Sequence, residues 1–272
     1  MYVKPYTEKA LAELAGLFRR EGITWFVLGG GANILVSDSG IRGAVLDITG
    51  LEGTEVQDGR FTVWAGTGMD AAAEAAYNLN LSGLEYFYGM PGSIGGAVWM
   101  NARCYGMSIS DILTEAYYID DSNDPGVCMY QVKQSDFDYK KSPFQSWKYI
   151  ITRAVFMLKK SNPNEIQKRM KEYKEDRKRK GHYAYPSAGS AFKNNRAFGQ
   201  PSGKIIEKTG LKGVKIGGAR VSEEHANIII NAGKAKAEDI RFLIDHVRSK
   251  VYQETGFLLE PEIQFVGDWG KL

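Results

Sequence analysis

Two runs of glycine carry the chemistry most visible in this 272-residue chain. The longer is Tyr88-Gly89-Met90-Pro91-Gly92-Ser93-Ile94-Gly95-Gly96-Ala97-Val98-Trp99-Met100-Asn101. The shorter, Leu28-Gly29-Gly30-Gly31-Ala32-Asn33, directly follows the apolar stretch Trp25-Phe26-Val27-Leu28, where a strand should end. Glycine takes positive φ and lets another group approach its N–H closely, so dense runs read as loops wrapped on a ligand, often a phosphate. One such run reads equally well as a tight turn between strands. Two, one of them at a strand end, shift the reading towards a ligand. Neither run contains a lysine or arginine, which suits a nest of backbone N–H groups that binds an anion unaided. Cys104 and Cys128 are too few and too irregularly placed for a disulfide framework or a metal site, and read as reduced thiols.

The rest of the chain has to position these runs. At 43% hydrophobic it is long enough for two domains, each with its own core. Thirty-five Lys+Arg against thirty-two Asp+Glu leave a net charge of +3, too small to demand nucleic acid or a membrane as partner. No apolar run approaches the ~20 residues of a membrane span, and the opening residues lack a signal-peptide pattern. A cytoplasmic protein is expected.

Thr7 should cap a helix with Leu11, Leu14 and Phe18 at helical spacing, feeding a strand at Ile23–Leu28. Ile34–Val36, Ala44–Leu46 and Phe61–Ala65 read as further strands, and the alanine-rich Met69–Asn80 as a helix. Ala116–Ile119 and Ile150–Leu158 read as strands, with Asp121–Gly126 as a turn. Asn162-Pro163-Asn164-Glu165 is a helix start, and the charged stretch Lys168–Lys180 reads as a solvated helix face rather than a nucleic-acid-binding arm, because Glu172, Glu175 and Asp176 interrupt it. The composition change puts a boundary near Ser161. Lys236–Glu254 is an amphipathic helix, and Phe257–Val266 an apolar strand that Pro261 confines to an edge or a bend.

Taken together, VLGGGANILVSD at Val27–Asp38, GMPGSIGGAVWMN at Gly89–Asn101, PSAGSAFKN at Pro186–Asn194 and LEPEI at Leu259–Ile263 occur in an order and spacing that resemble the UDP-N-acetylenolpyruvoylglucosamine reductase family. The resemblance runs from about Trp25 to Val266. The compact C-terminal part, without a tyrosine-bearing insertion, is similar to the shorter family subtype. The fold implied is α+β: an FAD-binding fold of the vanillyl-alcohol-oxidase (PCMH) type in two subdomains, about 1–52 and 53–160, then a C-terminal α+β substrate-binding domain at 161–256. A last segment, 257–272, returns to the active site. Neither glycine run is followed by the helix start and acidic residue of a Rossmann fingerprint, which agrees.

The resemblance implies FAD as cofactor, NADPH as reductant and UDP-N-acetylglucosamine enolpyruvate as substrate, in a monomer that binds neither nucleic acid nor membrane. Hydride passes from NADPH to the flavin and from the reduced flavin to the enolpyruvyl double bond, in the synthesis of peptidoglycan precursors. By motif, Ser190 matches the proton donor. Glu262, rather than its neighbour Glu260, matches the glutamate that polarises the enolpyruvyl group while protonated. Lys140 takes the place of a catalytic arginine. Flavin contacts fall on Gly29, Gly30, Gly31, Ala32, Asn33, Gly92, Ser93, Gly95, Gly96 and Ala97, and substrate contacts on Tyr139, Lys193, Asn194 and His225.

Three departures stand out. Tyr139-Lys140-Lys141-Ser142 replaces a tyrosine-arginine-x-serine segment, so the planar guanidinium fork is lost while the charge is kept. Arg103, where relatives have a small residue, is the expected compensation. The chain opens at Met1-Tyr2-Val3 without the extra strand of relatives, and Asn195 replaces a proline. The competing reading is a catalytically weakened relative that binds flavin or a nucleotide-sugar without efficient turnover.

Overall fold

Local signals set the first elements. A computed structural model describes residues 1–120, 122, 125–147 and 149–270 of the chain. The helix Glu8–Arg20 starts where Thr7 Oγ1 accepts the Ala10 N–H at 3.1 Å, and it buries Leu11, Ala15 and Phe18. It leads into the strand Trp25–Leu28. This strand lies parallel to Ala44–Asp47, whose other edge takes the short strand Tyr2–Val3. The opening residues, expected to lack a strand, thus form one: Tyr2 and Val3 pair with Val45 and Leu46.

The chain divides into two compact units. One comprises Met1–Gly30 and Gly43–Lys174, the other Gly31–Arg42 and Glu175–Leu272. In the first, an antiparallel five-stranded sheet runs in the order Val127–Gln131, Leu113–Ile119, Ile150–Phe156, Arg60–Trp64, Thr54–Gln57. Its inward residues Phe61, Val63, Ala116, Ile119, Ala154 and Phe156 are buried with Phe87 and Val98 in one core. Burying each phenylalanine contributes roughly 1.5–3 kcal/mol. The edge strand Thr54–Gln57 is exposed at every residue, which hid it from a search for alternating apolar residues. The turn expected at Asp121–Gly126 falls partly outside the described residues.

The second unit has its own antiparallel sheet, in the order Ser187–Ser190, Ile228–Asn231, Ala219–Val221, Lys215–Ile216. The helix Ala237–Thr255 buries Leu243, Ile244, Val247 and Val251, with Ile205 and Ile206 of the helix Ser202–Lys208 in the same core. A parallel pair joins Gln264–Val266 to Ile34–Val36.

The mixture of helices and strands is the α+β class expected. The boundary is not at Ser161. The helix Pro163–Arg179 packs Ile166 and Met170 into the first core, so the first unit continues to Lys174, while Gly31–Arg42 belongs to the second. The long strand expected at Phe257–Val266 shrinks to Gln264–Val266, because Pro261 and its neighbours bond across to the Ala191–Lys193 segment instead. Helix Pro163–Arg179 is anchored by a buried ion pair: Glu85, 1% exposed, meets Arg169 at 3.0 Å. The same carboxylate accepts from Ser82 Oγ at 2.6 Å and from the Gly83 N–H at 2.5 Å. Removing Arg169 leaves the buried Glu85 carboxylate without its counter-charge. Arg169→Ala is expected to lower the unfolding free energy in a urea titration by about 3 kcal/mol, and a change below about 1 kcal/mol would show that the pair is not what anchors the helix.

Candidate active site

In the first unit the two glycine runs touch each other. A Cβ on Gly30 would lie 2.7 Å from the Gly92 backbone, and one on Gly29 would lie 2.6 Å from Ser93 Oγ, so both positions exclude a side chain by close approach. Ser93 Oγ accepts the N–H of Gly30 at 3.1 Å and of Gly96 at 3.4 Å. The second half of the long run is not a loop. Ser93 caps a short helix, Ile94–Trp99, inside the run. Helix formation commits donors expected to face the flavin: Gly95 N–H bonds Ala65 O at 2.8 Å, and Ala97 N–H bonds Ser93 O at 2.9 Å. Gly30, Gly95, Gly96 and Ala97 therefore donate within the protein.

Gly96 is different in its surroundings. It is exposed, and the nearest atom to a Cβ built there is Ser93 Oγ at 3.6 Å, an ordinary contact. Glycine within a helix costs up to ~1 kcal/mol relative to alanine. Packing within the protein gives no reason for it here.

The end of this short helix also holds the segment carrying Tyr139 and Lys140. Ser142 Oγ donates to Trp99 O at 2.6 Å, and Asn101, only 3% exposed, donates from Nδ2 to Asp138 O at 2.9 Å. Asp138 and Lys141 exchange backbone bonds at 3.2 and 3.0 Å, so Tyr139 and Lys140 form the tip of a two-residue turn. Lys140 sits at φ 57°, in the left-handed region, and its carbonyl accepts from Gln145 Nε2 at 3.0 Å. Arg103 stands on a small hairpin with Nη1 3.3 Å from Ser108 Oγ, its one hydrogen bond among the described residues; it makes none with Lys140.

The second unit assembles Ala32, Asn33, Ser190, Lys193 and Glu262. Ser187 pairs with Ile230 but Ser190 with Ile228, so the first strand carries one extra residue. This is a β-bulge, with Gly189 at φ 78° supplying the left-handed residue and re-aiming Ser190. The Cβ position of Gly189 lies 3.6 Å from Ala32 O. Glu262 N–H donates to Ala191 O at 2.8 Å, and Asn33 Nδ2 donates to Glu262 O at 3.1 Å. Glu262 is 7% exposed. Glu260, the alternative carboxylate, has a side chain 69% exposed and takes Lys193 Nζ at 2.5 Å. Asn194 Oδ1 accepts the Ser202 N–H at 2.8 Å. Asn195, in place of a proline, fixes its own turn by accepting the Ala197 N–H at 2.9 Å.

His225 lies 5.5 Å, ring centre to ring centre, from His182. Burial lowers the basicity of both. His182 is pushed down to about 4, with Arg177 adding to the effect, and His225 is lowered as well. The N–H of Asn227 donates to His225 Nδ1 at 3.2 Å, so the neutral ring carries its proton on Nε2 and presents a donor there. His182 and Asn227 were missed in the sequence. The first lies outside every motif, and the buried role of the second shows only once Phe192 is placed beside it.

Residues 1–123 match a family described as an FAD binding domain, and residues 181–266 match the C-terminal domain of UDP-N-acetylenolpyruvoylglucosamine reductase. The fold is that of a flavoenzyme, a reductase with an FAD-binding domain and a reductase C-terminal domain. The UDP-N-acetylenolpyruvoylglucosamine reductase of Treponema denticola is 46% identical, over 98% of this chain and 87% of the relative. That of Borrelia garinii subsp. bavariensis is 44% identical, over 95% and 85%. The crystal structure of the enzyme from Thermus caldophilus superposes with a TM-score of 0.80 at 32% identity, covering 97% of this chain and 91% of that one. The chain belongs to the UDP-N-acetylenolpyruvoylglucosamine reductase family.

The histidine pair makes stability pH-dependent. Both rings titrate below their ordinary value of 6.5 when folded, so the unfolded chain binds more protons as the pH falls. Their share of stability is present above pH 6.5 and is lost as the pH drops towards about 4. Denaturant midpoints should fall over that window in the native protein and fall less in His182→Gln; equal pH slopes would contradict it.

Proposed function

We propose that the protein reduces UDP-N-acetylglucosamine enolpyruvate to UDP-N-acetylmuramate with NADPH, as an FAD-dependent enzyme of peptidoglycan precursor synthesis. The observation that supports this most is the bond from Glu262 N–H to Ala191 O at 2.8 Å, which sets a buried carboxyl group beside the bulged strand that ends in Ser190. Two groups far apart in sequence share one small region, and they are the acid and the proton donor that this chemistry needs.

The first unit fits FAD. The exposed helical Gly96, unexplained by the protein's own packing, leaves room for a ligand to lie against the backbone. Gly29, Gly92 and Ser93 complete the group that the first unit offers the cofactor, while Gly31, Ala32 and Asn33 belong to the second unit. Bound FAD supplies hydride chemistry, in from NADPH and out to the enolpyruvyl double bond.

The chain's own residues do the rest. Hydride addition leaves an enolate-like carbon beside the substrate carboxylate, and Ser190 Oγ gives that carbon its proton. A serine hydroxyl is a weak acid, but such a carbon is a strong base, so the transfer proceeds when the oxygen is held on the correct face. Glu262 polarises the enolpyruvyl group, and Lys140 takes the part of the charge that offsets the developing negative one. Lysine offers a point charge in place of a bidentate fork, and its fixed place at the turn tip offsets part of that loss. Tyr139, Lys193, Asn194 and His225 bind the nucleotide-sugar, with His225 donating from Nε2. The first unit, Met1–Gly30 with Gly43–Lys174, is the FAD-binding part, and the second carries substrate with Glu262 in its closing segment, 257–272. The same reading makes the enzyme a cytoplasmic monomer.

Protein incubated with FAD and freed of unbound flavin by gel filtration should stay yellow and then consume NADPH only when UDP-N-acetylglucosamine enolpyruvate is added. Protein that elutes colourless after incubation with excess FAD would remove the proposal. Gly96→Ala is expected to weaken FAD binding by about tenfold or more while the melting temperature of the flavin-free protein holds or rises. A variant that binds FAD like the native protein would show that the space at Gly96 does not serve the cofactor.

A further inference from the structure

We infer that Asn227 is a positioning residue for Ser190. Asn227 is 4% exposed and makes four bonds at one place. Its Nδ2 donates to Phe192 O at 2.8 Å, and its Oδ1 accepts the Phe192 N–H at 3.0 Å. Its carbonyl accepts the Ala191 N–H at 2.7 Å, and its own N–H is the donor to His225 Nδ1 at 3.2 Å.

A carboxamide carries a donor and an acceptor side by side, as a peptide unit does, so Asn227 completes the hydrogen bonding of Phe192 as a neighbouring strand would. This matters because the ladder is irregular there. The bulge at Gly189 shifts the register just before Ser190, and a bulged strand without further support is free to slip or twist. Asn227 pins the two residues after Ser190 from one side. Glu262 N–H, bonded to Ala191 O at 2.8 Å, pins them from the other. Ser190 thereby takes its place relative to Glu262 from bonds on both flanks, one flank being held by a single buried residue whose N–H also fixes the tautomer of His225.

The inference rests on the reading of Ser190 as proton donor. Asn227→Asp keeps the size and the acceptor but sets a carboxylate oxygen against Phe192 O. Asn227→Ser removes both amide bonds without adding charge. The holoenzymes are examined in single turnovers, with flavin bleaching by NADPH followed separately from reoxidation by UDP-N-acetylglucosamine enolpyruvate. In both variants bleaching is expected to stay within about twofold of the native rate, while reoxidation slows by about tenfold or more and shows a larger solvent deuterium effect, since a misplaced proton donor makes proton transfer limiting. Reoxidation at the native rate, an unchanged isotope effect, or a parallel fall of both half-reactions would overturn the positioning role. If the native holoenzyme is itself not reoxidised by this substrate, the reductase reading fails instead.

Discussion

The first unit depends on one steric constraint: the backbone at Gly30 presses on the backbone at Gly92 so closely that a Cβ would come within 2.7 Å. Two segments distant in sequence are held in register by this contact and by Ser93 Oγ, which takes an N–H from each. The helix Ile94–Trp99 starts from that serine, and its far end carries the turn that presents Lys140. A displacement at Gly30 would be passed along these bonds to a charge far along the chain. Close packing transmits small shifts rather than absorbing them.

The second unit places Ser190 on an irregular strand. Regular pairing would leave Ser190 on the face dictated by strict alternation, and the bulge breaks that alternation. The irregularity is confined by bonds on both flanks, from Asn227 and from Glu262. Glu260 is drawn outward by Lys193, so the two carboxylates of Leu259–Ile263 end in different surroundings although they lie two residues apart. One is exposed and paired, the other buried.

Much of this was legible in the residues. The capped helix Glu8–Arg20, the strands Ile34–Val36 and Ala44–Asp47, and the amphipathic Ala237–Thr255 follow from local spacing and caps, which sequence records directly. The order of the motifs identified the family, and its FAD-binding domain and reductase relatives agree with that reading. Hidden from it were features made by tertiary contact. Gly29 and Gly30 looked like ligand contacts, yet their small size is required by Gly92 and Ser93. The helix within the long run was masked because glycine disfavours helices and Ser93 supplies the missing start. The boundary near Ser161 followed composition, whereas Ile166 and Met170 follow the first core. Nothing in the residues around Asn227 marks its buried role, which depends on Phe192 lying beside it.

The account rests on Ser190 giving the proton that completes reduction of the enolpyruvyl group, separately from the flavin's own reduction. Single-turnover absorbance at the flavin band in Ser190→Ala tests it most directly. Bleaching by NADPH should proceed at close to the native rate, and reoxidation by UDP-N-acetylglucosamine enolpyruvate should be slowed by a factor of at least about 10². Reoxidation of the variant at the native rate would contradict the account.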